Sequence, residues 1–194
     1  HRVGRLAQVA RLQIRAKVMD LIAPLAGYTE LLGIRYPVKA YRTPLTNSMT
    51  RGSRVEVGDV AALKAQGIKT VVSFCAERSR NEERALKAAG LRFVRIGVID
   101  NTAPSQSQIR RFLDVATDPQ SGQIYAHCEA GKGRTGVFIG AWRMAALGWS
   151  SGKAVAEAHR FGLSLRGQTE ALRDFGRALR EGKVAGYPLP VAGR

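Results

Sequence analysis

The sequence predicts an α/β fold, a central and partly parallel sheet flanked by helices. Three observations carry that expectation. Short β-prone runs at 68–74, 91–96 and 123–127 alternate with helical patterns at 59–66, 81–89 and 106–117, the order in which parallel strands are joined through helices. From residue 135 onward the chain carries helical patterns alone, enough to cover one face of such a sheet. With 194 residues, 45% of them hydrophobic, the chain can bury one sizeable core, and no apolar run approaches the roughly 18 residues a membrane span needs.

Taken in order, residues 1–35 form a basic, helical N-terminal segment. Leu6, Ala10, Ile14, Val18, Leu21, Ile22 and Leu25 fall at helical spacing, Arg2, Arg5, Arg11, Arg15 and Lys17 lie between them, and Pro24 and Gly27 end the pattern. This stripe reads as a helix packed on the domain with its charges solvated. The alternative is a helix lying on an anionic membrane. A Pro-bounded strand is expected at 36–42, and the polar stretch 43–58 reads as a surface loop; Arg42, Arg51 and Arg54 on and beside it either shape the approach of substrate or, as charged loop residues more often are, are simply solvated. A short helix at 59–66 closes on Gly67, and 68–74 is a buried strand ending at Cys75.

The charged helix at 81–89 ends at Gly90, and the strand at 91–96 leads into a loop bearing Asp100 and Pro104. Ser105 caps the helix 106–117, 118–122 is a turn, and 123–127 is the central strand. Helices follow at 135–147, 150–161 and 168–180, the first of them apolar all round. The main domain therefore runs from 36 to 182, and 183–194 is an extended tail.

The net charge of +16 calls for acidic partners, whether phosphorylated protein, anionic phospholipid, inositol phosphate or a membrane surface. Nucleic acid is not expected, because neither zinc-finger spacing nor an aromatic RNA-binding motif occurs. No cofactor is expected, and no metal, since His127 and Cys128 are adjacent and neither His1 nor His159 has a ligand motif around it. Two cysteines make no secreted disulfide scaffold, so a soluble, intracellular chain is expected, with the basic N-terminal segment as its route to a membrane. The chain opens on His1 rather than Met, which leaves a leader or anchor upstream open.

The most informative stretch is Y-A-H-C-E-A-G-K-G-R-T-G-V-F-I-G, from Tyr125 to Gly140. It passes from strand through a glycine-bearing curl into a helix. Five residues between Cys128 and Arg134 suffice for backbone N–H groups to surround one oxyanion, with the Arg134 guanidinium closing the ring. Glu129, Ala130, Gly131, Lys132 and Gly133 supply those amides, and Gly131 and Gly133 permit the positive φ and close approach a nest requires. The helix that follows adds the positive end of its dipole. Amide dipoles and a guanidinium around Cys128 favour thiolate over thiol, which makes it a nucleophile. Thr135 is placed to hydrogen-bond that sulfur when it leaves, and His127 orients the loop. A phosphate leaving group needs a proton, and Asp100, on a loop after a strand, is the candidate acid beside such a cradle; read alone, it is better explained as a turn former beside Asn101.

The string H-C-E-A-G-K-G-R-T-G resembles the H-C-x5-R-T-G signature of the cysteine-dependent protein tyrosine and dual-specificity phosphatase superfamily, and is most similar to the phosphatase and tensin homologue branch. The likeness extends upstream to C-A-E-R at Cys75 to Arg78 and to I-D-N-T-A-P around Asp100, and covers roughly residues 38–179. It implies a dual-specificity phosphatase fold with a Cys-x5-Arg phosphate loop, hydrolysis through a phosphocysteine intermediate, and Asp100 as general acid. It further implies that Gln168 positions water, though a glutamine opening a helix is commonplace. Cys75, an ordinary buried thiol on its own, becomes by this resemblance a redox partner able to form a reversible disulfide with Cys128.

Two departures stand out. Gly97 and Val98 replace the aromatic or proline residues that precede the acid in much of the family, and Glu129 replaces a lysine. Lys132 favours substrates with several phosphates or a phosphodiester neighbour, while Glu129 opposes them. Three functions remain: a phosphatase of phosphotyrosine- or phosphoserine-type or phosphoinositide-like esters, a phosphatase of phospholipid headgroups such as phosphatidylglycerophosphate or of inositol phosphates, and an idle phosphate-binding module.

Overall fold

The computed structural model describes residues 42–77 and 79–184, all within the second of two compact units, which spans 38–194. The basic N-terminal helix, most of the strand expected at 36–42, Arg78 and the tail from 185 lie outside the described residues.

The sheet has five strands, β1 (Arg42–Pro44), β2 (Met49–Gly52), β3 (Ile68–Cys75), β4 (Arg92–Val98) and β5 (Gln123–His127), in the order β1-β2-β5-β3-β4. Only β1 runs antiparallel to its neighbour; β2, β5, β3 and β4 are mutually parallel, as alternation with helices requires. The helices are α1 (Val60–Ala65), α2 (Arg80–Ala88), α3 (Gln106–Thr117), α4 (Gly133–Leu147), α5 (Ser151–Arg160) and α6 (Arg166–Arg180). None is long and apolar enough to cross a membrane.

The stretch 43–58 corrects the sequence reading. It contains most of β1 and all of β2, joined by a turn in which Thr46 Oγ1 accepts the Ser48 and Met49 amides, and β2 is buried along its whole length against β5. Four residues with threonine, arginine and glycine among them carry no alternation, so the strand had no hydrophobic signature to read.

Strand alternation sorts the core. Ile124, Ala126 and Cys128 join the larger cluster, with Phe74, Phe112 and Phe138, while Tyr125 joins the smaller one with Leu63, Val71 and Leu86 of the α1/α2 side. Phe74 stacks on Phe138 at 3.9 Å between centroids, and Phe112 meets both edge-on at 5.2 and 5.5 Å. A register shift between Ser73 and Cys75 interrupts the alternation, and Cys75 enters the same cluster as Phe74 and Cys128.

Helix α4 is buried from Arg134 through Met144, consistent with the apolar pattern. Trp142 and Met144 lie in the core. Between them Arg143 is buried against Glu157 of α5 at 3.1 Å and faces the Trp149 ring at 4.3 Å. That ion pair had no local signal, because its partners lie fourteen residues apart on different helices.

Candidate active site

Cys128 leaves the end of β5 and Arg134 sits in the first turn of α4, so the segment between them is pinned at both ends by largely buried elements. Cys128 is 3% exposed and Arg134 2%. Gly131 takes φ +68°, the left-handed region in which the missing Cβ matters. Gly133 does not share that conformation. Its hydrogen is needed for another reason: a Cβ there would collide with Gln168 Oε1. Helix α4 starts at Gly133, two residues before the expected position, so its free N–H groups lie at the segment itself.

Outward carbonyls of the segment find donors. Gly131 O accepts from Arg51 Nη2 at 2.7 Å, Glu129 O from the Arg54 amide at 3.0 Å, and Cys128 O lies 3.1 Å from His127 Nδ1. Such satisfaction is what lets a curl with its carbonyls turned out persist in a buried place. On the far side of its ring, His127 Nε2 stands 3.1 Å from Glu82 Oε1. That approach lacks hydrogen-bond alignment and stands as a close polar contact between two buried side chains. Glu82, 3% exposed, also accepts the Val55 amide at 3.3 Å. Tyr125 and His127 share the sheet face toward α2, which is why a glutamate of that helix reaches the site from beneath.

Arg134 gathers three elements. Its Nη2 meets Asp100 Oδ1 at 2.9 Å, and its Nη1 meets Val98 O at 2.9 Å and Glu77 Oε2 at 3.3 Å. Strand β4 runs two residues past its expected end, which is what brings the Val98 carbonyl there. Gln168 is buried in the first turn of α6, donating from Nε2 to Thr102 O at 2.9 Å. Gln168 Oε1 and the Thr135 hydroxyl are both buried without a hydrogen-bond partner among the described residues. Buried polar atoms left unpaired by the protein call for a further partner, a water or a bound ligand.

Cys75 stands beside this cluster, hydrogen-bonded to the Arg54 side chain. Burial pushes its thiol up to about 11, against the opposing pull of the Arg54 and Arg134 guanidiniums. Arg54 joins Glu129 at 3.0 Å and Glu77 at 3.9 Å. The arginines expected to shape the approach of substrate are therefore engaged: Arg42 pairs with Asp59, Arg54 with Glu129, and Arg51 is fully buried. Desolvating a charged side chain is costly unless it is bonded, and carbonyl and carboxylate oxygens nearby provide those bonds. Lys132 remains exposed, its stem running past Gly162. Sequence reasoning thus brought together Cys128, Arg134, Asp100, His127, Thr135, Gln168 and Cys75. It placed Arg51 on a surface loop rather than buried against the Gly131 carbonyl, and gave Glu77 and Glu82 no role.

Known proteins carry the same arrangement of elements. The dual-specificity phosphatase TpbA of Pseudomonas aeruginosa strain UCBPP-PA14 is 28% identical over 153 residues, which is 78% of this chain and 63% of TpbA. The chain thus spans less than two thirds of that relative's length. The crystal structure of P. aeruginosa TpbA superposes with a TM-score of 0.58 at 21% identity, over 75% of this chain and 92% of the other. That of PTPMT1 does so with a TM-score of 0.62 at 21% identity, over 74% and 99%. These likenesses meet the expected dual-specificity phosphatase fold. A family model described as DSP-PTPase phosphatase fused to NAD+ kinase matches residues 37–173, most of the chain and all of the site just described up to Gln168, and to that family of phosphatase domains the chain belongs.

Proposed function

We propose that the chain is a cysteine-dependent phosphomonoester hydrolase. The observation that carries this reading is the pairing of Cys128 and Arg134 at the two buried ends of one curl in which the Cys128, Glu129 and Gly131 carbonyls are engaged from outside. Phosphate binds to the inward amides and the Arg134 fork. The Cys128 thiolate attacks phosphorus, the ester P–O bond breaks, and Asp100 gives its proton to the leaving oxygen. Water positioned by Gln168 then attacks the phosphocysteine, its proton passes to Asp100, and the S–P bond breaks to return the thiolate, which the Thr135 hydroxyl receives. Asp100 pairs with Arg134, and a phosphate that takes the guanidinium releases the carboxyl for this role.

Phosphotyrosine-type monoesters fit best. Two carboxylates, Glu77 and Glu129, stand on the rim around Arg54, and negative charge there opposes a substrate with several phosphates. A second reading, inositol phosphates or phospholipid headgroups, is favoured by exposed Lys132. TpbA has been crystallised with phosphotyrosine and PTPMT1 with PI(5)P, so this fold accommodates either kind. We also propose that Cys75 resolves oxidised Cys128 as a disulfide.

Phosphate release from phosphotyrosine peptides, inositol lipids in vesicles and phosphatidylglycerophosphate, with Cys128→Ser as control, tests the reading. Release from the peptides at a higher kcat/KM than from either lipid supports the first assignment, and the reverse order supports the second. No release from any substrate would overturn both.

A further inference from the structure

The largest fully buried side chain among the described residues is that of Arg51, 0% exposed in β2. Such burial costs several kcal/mol unless directed contacts repay it, so the contacts indicate what the residue is for. Arg51 Nη2 donates to Gly131 O at 2.7 Å and approaches Lys132 O at 3.4 Å, and the guanidinium lies over the Phe161 ring at 4.3 Å. Phe161 follows α5 and fixes the plane of the fork from behind, while β2 fixes its stem through pairing with β5.

Peptide geometry gives this contact a consequence. In a planar trans peptide the carbonyl of one residue and the N–H of the next point in opposite directions. Holding the Gly131 carbonyl outward therefore turns the Lys132 N–H inward, to where phosphate sits. The same reasoning applies to Cys128 O beside His127, which sets the Glu129 N–H, and to Glu129 O bonded by the Arg54 amide, which sets the Ala130 N–H. Arg51 holds the one of these peptides that follows Gly131, the residue at φ +68° and the most able to rotate.

We propose that Arg51 is a positioning residue of the phosphate site: its guanidinium clamps the Gly131 carbonyl and so presents the Lys132 amide to bound phosphate. It does not touch substrate. This inference rests on the phosphatase reading above.

The test uses the full chain with tungstate as oxyanion probe. Tungstate affinity by calorimetry, kcat and KM for p-nitrophenyl phosphate, thermal unfolding and the backbone amide shifts on adding tungstate are compared for wild type, Arg51→Met and Arg51→Lys. Loss of one preorganised donor predicts about 100-fold lower kcat/KM in Arg51→Met. Tungstate binding should weaken at least threefold, and the Lys132 amide should lose its response while that of Ala130 persists. A role in folding alone would lower the melting temperature and leave affinity per folded molecule unchanged, and that result overturns the proposal. Should Arg51→Met not fold, Arg51→Lys decides: its ammonium cannot reproduce the planar fork, so tungstate affinity again falls threefold or more, and a smaller change overturns the inference. A wild-type chain that binds no tungstate would instead refute the phosphatase reading itself.

Discussion

Replacing Glu82 by alanine tests whether the floor of the site is held as described. Glu82 is 3% exposed, accepts the Val55 amide at 3.3 Å and lies 3.1 Å from His127 Nε2. Removing the carboxylate strands one buried backbone donor outright, which costs about 1–3 kcal/mol. The His127 approach is not an aligned hydrogen bond and adds at most about 1 kcal/mol as a close polar contact. A total of about 3 kcal/mol lowers the melting temperature of a chain of this size by about 6–12 °C, read by calorimetry. Glu82→Gln keeps an acceptor for the Val55 amide and loses only the weaker contact, so its shift should be about 2–4 °C. If Glu82→Ala melts within about 2 °C of wild type, the buried carboxylate is not a structural acceptor and the account of the floor fails.

Three further expectations concern the chemistry. Asp100→Asn should slow alkyl phosphates by about 100-fold or more and activated aryl phosphates far less; equal slowing would show that Asp100 is not the acid. With its thiol raised to about 11, Cys75 attacks oxidised Cys128 only through a small thiolate fraction, which grows tenfold for each pH unit below that value. Peroxide-driven disulfide formation, followed by mass spectrometry once the Cys128 sulfenic acid has formed, should therefore quicken about 100-fold from pH 7 to pH 9, and a flat profile would count against Cys75 as the resolving thiol. Glu129→Lys frees Arg54 and reverses a rim charge, so kcat/KM for inositol phosphates should rise relative to a phosphotyrosine peptide, and an unchanged ratio would remove Glu129 from substrate choice.

What was legible in the sequence was whatever is encoded locally. The strand at 123–127, the glycine-bearing curl after it and the apolar helix from Gly133 are contiguous, so Cys128, Arg134 and Thr135 could be placed by spacing alone. Asp100 and Gln168 came with the family resemblance, and the fold brings both to the curl, the first through Arg134 and the second through its close approach to Gly133. What was not legible depends on side chains meeting across the sheet. Arg51 lies 80 residues from Gly131, and a lone arginine in a polar stretch carries no sign that it is buried. Glu82 sits on a charged helix whose glutamates look solvated, yet one of them faces inward because Tyr125 and His127 share its side of the sheet. Gly133 was assigned a backbone role that belongs to Gly131 alone, since spacing does not distinguish a glycine that turns the chain from one that makes room for a neighbour.

The most direct test of the central claim is to find the covalent intermediate. Asp100→Asn lacks the base for the second step, so acid quench during turnover of an activated aryl phosphate should trap phosphate on Cys128, located by peptide mass spectrometry. The account predicts a near-stoichiometric phosphocysteine at Cys128 that is absent from Cys128→Ser, which should also release no phosphate. Turnover that persists in Cys128→Ser, or phosphate found on another side chain, would contradict it.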